Sequence, residues 1–141
     1  MKFNTRFYIS WIFAAILMYA LFYTWHGVFL NDFKKINFPI TWLIVFTSVA
    51  YITISFVLYL VFESKPLKNI YSFFVRGIVS GAVTGAIIFM VSIVVTISIS
   101  KSLSPKHLML DFTWQMIEQI IGGLLLATIK VFVPDHAHER I

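Results

Sequence analysis

Between Phe7 and Asn31 the chain has no Asp, Glu, Lys or Arg, and between Ile36 and Phe62 it has none again. A helix of about 20 apolar residues crosses a hydrocarbon core of about 30 Å, so each run is long enough to span a bilayer. A soluble fold of 141 residues has no means of hiding such stretches when 60% of the chain is hydrophobic and only 12% charged. An ordinary soluble domain carries roughly 25% charge. The expected fold class is therefore all-α, an integral membrane antiparallel four-helix bundle forming a single domain.

The four spans are expected at about 7–30, 41–62, 72–100 and 112–133. Lys2 and Arg6 before the first run have the look of a secretory signal, but the run is long and no small-x-small cleavage site follows it, so it reads as an uncleaved anchor. Residues 63–72 (ESKPLKNIYS) combine charge with Pro66, a composition that breaks a helix and turns the chain. Ile93 to Ser100 alternates apolar and hydroxyl residues as a strand would. An isolated strand in lipid leaves its backbone groups unpaired at several kcal/mol each, whereas Ser and Thr can bond back to their own helix, so helix is expected there. Asp111 is read as the N-cap of the fourth span and Pro134 as its stop.

Basic residues set the expected orientation. Lys2, Arg6, Lys65, Lys68, Arg76, Lys130 and Arg140 fall on one side of the four spans, and Lys34, Lys35, Lys101 and Lys106 on the other. The richer side faces the cytoplasm, which puts both termini there. In size and span number the layout resembles small bacterial membrane proteins, so the bacterial inner (plasma) membrane is the expected location; that resemblance implies no activity. The net charge of +5 is scattered between apolar segments and forms no stripe for a polyanion, so no nucleic-acid partner is expected. With no cysteine, thiolate chemistry and disulfides are excluded.

Gly77, Gly81 and Gly85 recur every four residues along one side of the third span. Small-xxx-small ridges of this kind let helix backbones approach closely in lipid. Gly122 and Gly123 in the fourth span are the expected partners within the chain, and self-association between copies is the alternative.

Ionisable residues in the spans are few. Glu118 interrupts the fourth one, and a buried charge there costs on the order of 2–3 kcal/mol even on lenient insertion scales. Asp111, Gln115, Glu118 and Gly122 are spaced four, three and four apart, so they share a helical face. Tyr19, Tyr23 and His26 form a similar stripe on the first span, with Asp32 just beyond it. Antiparallel helices bring His26 and Glu118 to similar depth below the noncytoplasmic surface. The expected binding pocket is thus Tyr23, His26, Asp32, Asp111, Gln115 and Glu118.

Three roles compete on these features. The favoured one is a non-catalytic accessory or assembly subunit that packs through the glycine face, as a homo-oligomer or within a larger membrane complex. The alternatives are a small transporter in which His26 and Glu118 handle protons or cations, and a small membrane enzyme on a lipid-like substrate. A transporter requires a hydrated cavity passing deeper than Glu118, and a lipid enzyme requires an apolar lateral cleft ending there. No cofactor is expected. His26, His107, Asp111 and Glu118 are nitrogen and oxygen donors, but only His107 and Asp111 have helical ligand spacing, so no metal site is assigned. His136, His138 and Glu139 are read as part of a solvated tail. No GxSxG, P-loop or GxGxxG pattern is present.

Overall fold

A computed structural model describes residues 4–35, 37, 39–99 and 104–133, with no side-chain detail over 96–99. Lys2, Lys101 and the tail from Pro134 onward, including His136, His138 and Glu139, lie outside the described residues. Among those described, four helices are long and apolar enough to cross a membrane, and no strand occurs.

Helix α1 spans Thr5–Phe22 and is capped by Asn4, whose side chain accepts from the Phe7 amide at 3.0 Å. It then widens into a π-helical segment, Tyr23–Phe29, closed by the Leu30 amide donating to the Trp25 carbonyl at 2.9 Å. Asn31, at φ 54°, takes the left-handed conformation that short polar side chains tolerate, and the chain turns through a 3₁₀ segment, Asp32–Lys34. Helix α2 (Ile40–Phe62) follows Pro39, and the short α3 (Lys65–Lys68) forms part of the next connection. Helix α4 covers Phe73–Ile99 and α5 covers Pro105–Phe132.

One boundary and one side chain differ from the sequence expectation. Helix α5 begins at Pro105, seven residues before position 112, and Asp111 is an interior residue instead of an N-cap. Proline's fixed φ and missing N–H suit a first helical turn, so Ser104-Pro105 starts the helix ahead of the carboxylate. Arg76 lies inside α4 and is only 7% exposed, although its charge suggests a connection. Hydroxyl residues of α2 bond back to their own helix, Thr47 to Leu43, Ser48 to Ile44 and Thr53 to Val49, each through the main-chain oxygen; the hydroxyl side chains expected to do so in Ile93 to Ser100 lie outside the described side chains. Helix α4 remains helical through Ile99.

Helix α5 is central, touching α1, α2 and α4. Its seam with α4 is a backbone contact. A Cβ on Gly77 would lie 2.6 Å from the Gly123 oxygen, one on Gly81 would collide with the Gln119 carbonyl, and Gly85 faces Gln115 and Met116. Pairing falls from 123 to 116 as numbering rises from 77 to 85, so these two helices run in opposite senses. Gly122 is not on this seam. One residue of rotation, about 100°, turns it toward Met18 of α1 and Leu58 of α2, and Gly123 takes the contact with α4. The core is Phe7, Ala14 and Met18 from α1, Tyr51, Leu58, Tyr59 and Phe62 from α2, and Leu126 and Ala127 from α5. Phe13, Ile16, Phe46, Val49, Met90 and Val94 point outward, as lipid-facing residues do.

Candidate functional site: a cleft ending at Glu118

The buried residues of α2 all fall between Tyr51 and Phe62; the half of the helix before Tyr51 has none. Where α2 leaves the core, a cavity of about 370 Å³ opens between it and the other helices. Phe22 and His26 line it from the end of the first span, Thr47, Ala50, Tyr51 and Ile54 from α2, Ile88, Phe89, Ser92 and Ile93 from α4. Helix α5 contributes His107, Leu108, Asp111, Trp114, Gln115 and Glu118. Of its lining residues Ala50, Ser92, His107 and Asp111 are exposed, so the cavity reaches the surface between α2 and α4 and along the first turns of α5. Ala50 is ten residues into α2, about 15 Å along the axis, so the edge of the cavity at Ala50 and Ser92 lies inside the apolar length of the helix.

The stripe of Asp111, Gln115 and Glu118 thus lines a single wall, with Glu118 at its floor. Glu118 is 1% exposed, turned inward from lipid and bulk water. The Tyr51 hydroxyl is directed at its carboxylate, and Gln119 Nε2 lies 3.4 Å from it. The Trp114 indole is directed at the same carboxylate without completing a well-aligned hydrogen bond. The cavity goes no deeper, because Met18 and Leu58, both fully buried, fill the space at Gly122 one turn further along α5.

His26 has another partner. Its Nδ1 lies 3.0 Å from Asp32 Oδ2, and Lys35 Nζ reaches Asp32 Oδ1 at 3.2 Å. Burial alone would raise the Asp32 pKa, but the hydrogen bonds and charges of His26 and Lys35 outweigh it and hold the carboxyl below its ordinary 3.8. Asp32 lies in a shallower hollow with Phe33, Lys35 and Leu43, beside the main cleft. Tyr23 packs against the Phe33 ring, 5.4 Å between centroids, and is 44% exposed. Of the six sequence candidates, His26, Asp111, Gln115 and Glu118 therefore share the cleft, and Tyr23 and Asp32 stand outside its lining. Among the described residues no three of His, Asp and Glu are placed to hold a metal ion together.

Comparison with protein families, curated proteins and solved structures finds no match. The cleft is read from its own chemistry alone. Its walls are mostly apolar and none of its lining residues is Lys or Arg. Gln115 Nε2 is buried at the wall without a hydrogen-bond partner. Trp25 and Trp114 stack face to face beside the cleft, 4.2 Å between centroids and 9° from parallel, holding the π-helical segment against α5. Spacing within one helix gave no sign of Tyr51 or of the Trp25 stack, since both are contacts between helices.

Sequence reasoning also missed a second polar cluster, at the other end of the helices. Glu63 Oε1 accepts from Lys130 Nζ at 2.7 Å and from an Arg76 guanidinium nitrogen at 3.2 Å, and Lys68 Nζ lies 3.3 Å from Oε2. Arg76 Nε also donates to the Phe62 carbonyl at 2.6 Å. Lys130, near the end of α5, donates to both Glu63 and the Tyr59 hydroxyl. The only sequence signal was one acid among several bases in the second connection and the ends of the adjoining spans.

Proposed function

We propose that this is a non-catalytic membrane protein that binds an amphiphilic, lipid-like molecule in the lateral cleft, with the molecule's polar end at Gln115 and Glu118. Four antiparallel spans with both termini in the cytoplasm carry the cleft, which opens within the outer half of a bacterial inner membrane. The Lys and Arg distribution supports that orientation: Arg6, Lys68, Arg76 and Lys130 gather around the Glu63 end, as the cytoplasmic side of a bundle does.

The observation that carries the reading is an apolar cavity that ends at a buried carboxyl and an unpaired amide donor. A buried donor without a partner costs roughly 1–3 kcal/mol, which a ligand acceptor recovers. Ligand sites have this make-up, mostly apolar walls with a few convergent polar groups. Transport has less support, because Met18 and Leu58 close the route beyond Glu118. Acid–base catalysis by Glu118 with His26 has less support too, since Asp32 holds the imidazole. An accessory role through the glycine face would need a different surface, because α5 of the same chain fills that face.

Ala50→Trp tests the reading by filling the opening from a position that is exposed and outside the core. The protein is purified in native-lipid nanodiscs and its retained small molecules are identified by mass spectrometry. The wild type retains an amphiphile that Ala50→Trp has lost, with both proteins equally helical by circular dichroism. An identical set of molecules in both would refute the cleft as a binding site.

A further inference from the structure

Glu63 is one carboxylate shared by three cations. Its contacts with Lys130, Arg76 and Lys68 measure 2.7, 3.2 and 3.3 Å. Two of those cations are substantially withdrawn from solvent: the side chains of Arg76 and Lys130 are 8% and 12% exposed, and that of Glu63 is 16% exposed. Their positions are fixed by further contacts. The Arg76 guanidinium lies 4.2 Å above the Phe62 ring, and Lys130 Nζ lies 4.9 Å above the Tyr59 ring. An Arg6 guanidinium nitrogen donates to the Lys130 main-chain oxygen, bringing another positive charge to the same place.

Among the described residues this cluster therefore holds two withdrawn cations, Arg76 and Lys130, against one anion, an excess of one positive charge, with the half-exposed Lys68 beside them. A solvated surface lysine needs no counterion. Cations withdrawn from water do, since burial of unbalanced charge is strongly unfavourable. The cluster sits where α2 ends, α4 begins and α5 ends, so in a bilayer it occupies the headgroup level. The anion most abundant at that level is a lipid phosphate.

We infer that this end of the protein binds the headgroup of an anionic phospholipid, its phosphate seated by Lys68, Arg76 and Lys130 beside Glu63. The site is separate from the cleft and stands or falls independently of the ligand proposed there. Its four residues belong to three different helices and the α3 connection, so a bound headgroup ties together the ends of α2, α4 and α5.

The full chain is reconstituted in phosphatidylcholine nanodiscs containing a minor fraction of phosphatidylglycerol. The lipids retained on transfer to mild detergent are counted by native mass spectrometry. Wild-type protein retains phosphatidylglycerol in preference to phosphatidylcholine. Lys68→Gln lowers that preference about fivefold, the worth of one basic residue at an anionic membrane surface. Glu63→Gln, which removes the competing carboxylate, raises it by a similar factor, an effect of opposite sign that a purely structural role does not produce. Lys34→Gln, in the 3₁₀ segment at the other end, leaves it unchanged. Equal retention of the two lipids, or equal losses from Lys68→Gln and Lys34→Gln, would overturn the assignment. Displacement of the retained lipid by millimolar inorganic phosphate would also overturn it, in favour of a soluble anion. Lys68 is 54% exposed at its side chain, so its replacement leaves the fold intact and keeps the test decisive if Glu63→Gln fails to fold.

Discussion

Replacing Gly81 with Ala tests the backbone contact on which the α4–α5 pair rests. A Cβ at that position would sit 2.6 Å from the Ile120 Cα and closer still to the Gln119 carbonyl oxygen. Carbon atoms prefer roughly 3.5–4.0 Å, so the helices must part by about 1 Å. The obstructing atoms belong to a helix backbone, which has no rotamer to change. Overpacking of this kind costs about 1–3 kcal/mol. Alanine recovers about 0.5–1 kcal/mol through its better helix propensity. The midpoints of the two ranges leave a net destabilisation of roughly 1 kcal/mol, read as a shift in the SDS unfolding midpoint in bicelles. Gly85→Ala is the control: its Cβ meets Met116 Sδ at 3.2 Å and the Gln115 oxygen at 3.3 Å, contacts that a few tenths of an ångström relieve. Its change stays within about 0.5 kcal/mol, the range of substitutions that disturb no special contact. If Gly81→Ala proves as stable as the wild type, the two backbones are not this close, and the packing described for α4 and α5 is wrong.

Gly122→Ala meets the flexible end of Met18 instead of backbone, so it destabilises less than Gly81→Ala in the same assay. Acid titration of stability reports on Glu63. Burial tends to raise its pKa, but Lys130, Arg76 and Lys68 outweigh that and hold it below the ordinary 4.5. The folded state therefore binds fewer protons than the unfolded one near that value, and the stabilisation is complete above about pH 4.5 and lost as pH falls through the lowered pKa. Glu63→Gln should remove this acid-limb slope and lower the melting temperature at neutral pH; an unchanged acid limb in the variant would place the titrating group elsewhere. Trp114→Leu removes the stacking partner of Trp25 and lowers stability by about 0.5–1.5 kcal/mol beyond the lost area in the SDS unfolding assay; a variant as stable as the wild type would mean that Trp25 and Trp114 do not stack.

The spans were legible because lipid imposes a plain rule: a long run without charge must be helical and must be apolar enough to cross. That rule locates α1, α2 and α4 to within a few residues at most ends. It fails where a charge is satisfied locally. Arg76 looks like part of a connection until Phe62 and Glu63, contributed by the preceding helix, are seen to accept its hydrogen bonds within the first turn of α4. Asp111 looks like a cap because capping is its commonest role before an apolar run, yet Pro105 starts the helix earlier. The face of α5 bearing Asp111, Gln115 and Glu118 was legible from helical spacing, which fixes relations within one element. Tyr51 as the partner of Glu118, Asp32 as the partner of His26, and the choice of Gly123 over Gly122 depend on how helices rotate against each other. A single sequence carries little of that information. The π-helical turn at Tyr23–Phe29 left no sign either, since its extra residue alters hydrogen-bond register without altering composition. Such bulges occur often beside functional sites, and this one places His26 at the cleft.

The cleft follows from how unevenly the helices are joined. In lipid the hydrophobic effect does not press apolar helices together, so close packing and polar contacts decide where they stay in touch. Helix α4 is held along α5 by three glycines, and α1 meets α2 through the Trp11 indole donating to the Ile52 carbonyl at 2.8 Å. Helix α2 has its polar and close-packed ties in its second half: Tyr51 to Glu118, Leu58 against Gly122, and the Phe62 carbonyl with Glu63 to Arg76. Before Tyr51 it has no buried residue, and Trp42, Phe46 and Val49 face outward. A rod fastened at one end and unfastened at the other leaves a wedge-shaped gap beside its unfastened half, with the buried Glu118 at the inner end. The same asymmetry locates both proposed ligands. An apolar body enters where α2 is unfastened and reaches the polar floor, while an anionic headgroup at the Glu63 end reinforces the fastening that keeps the wedge in shape.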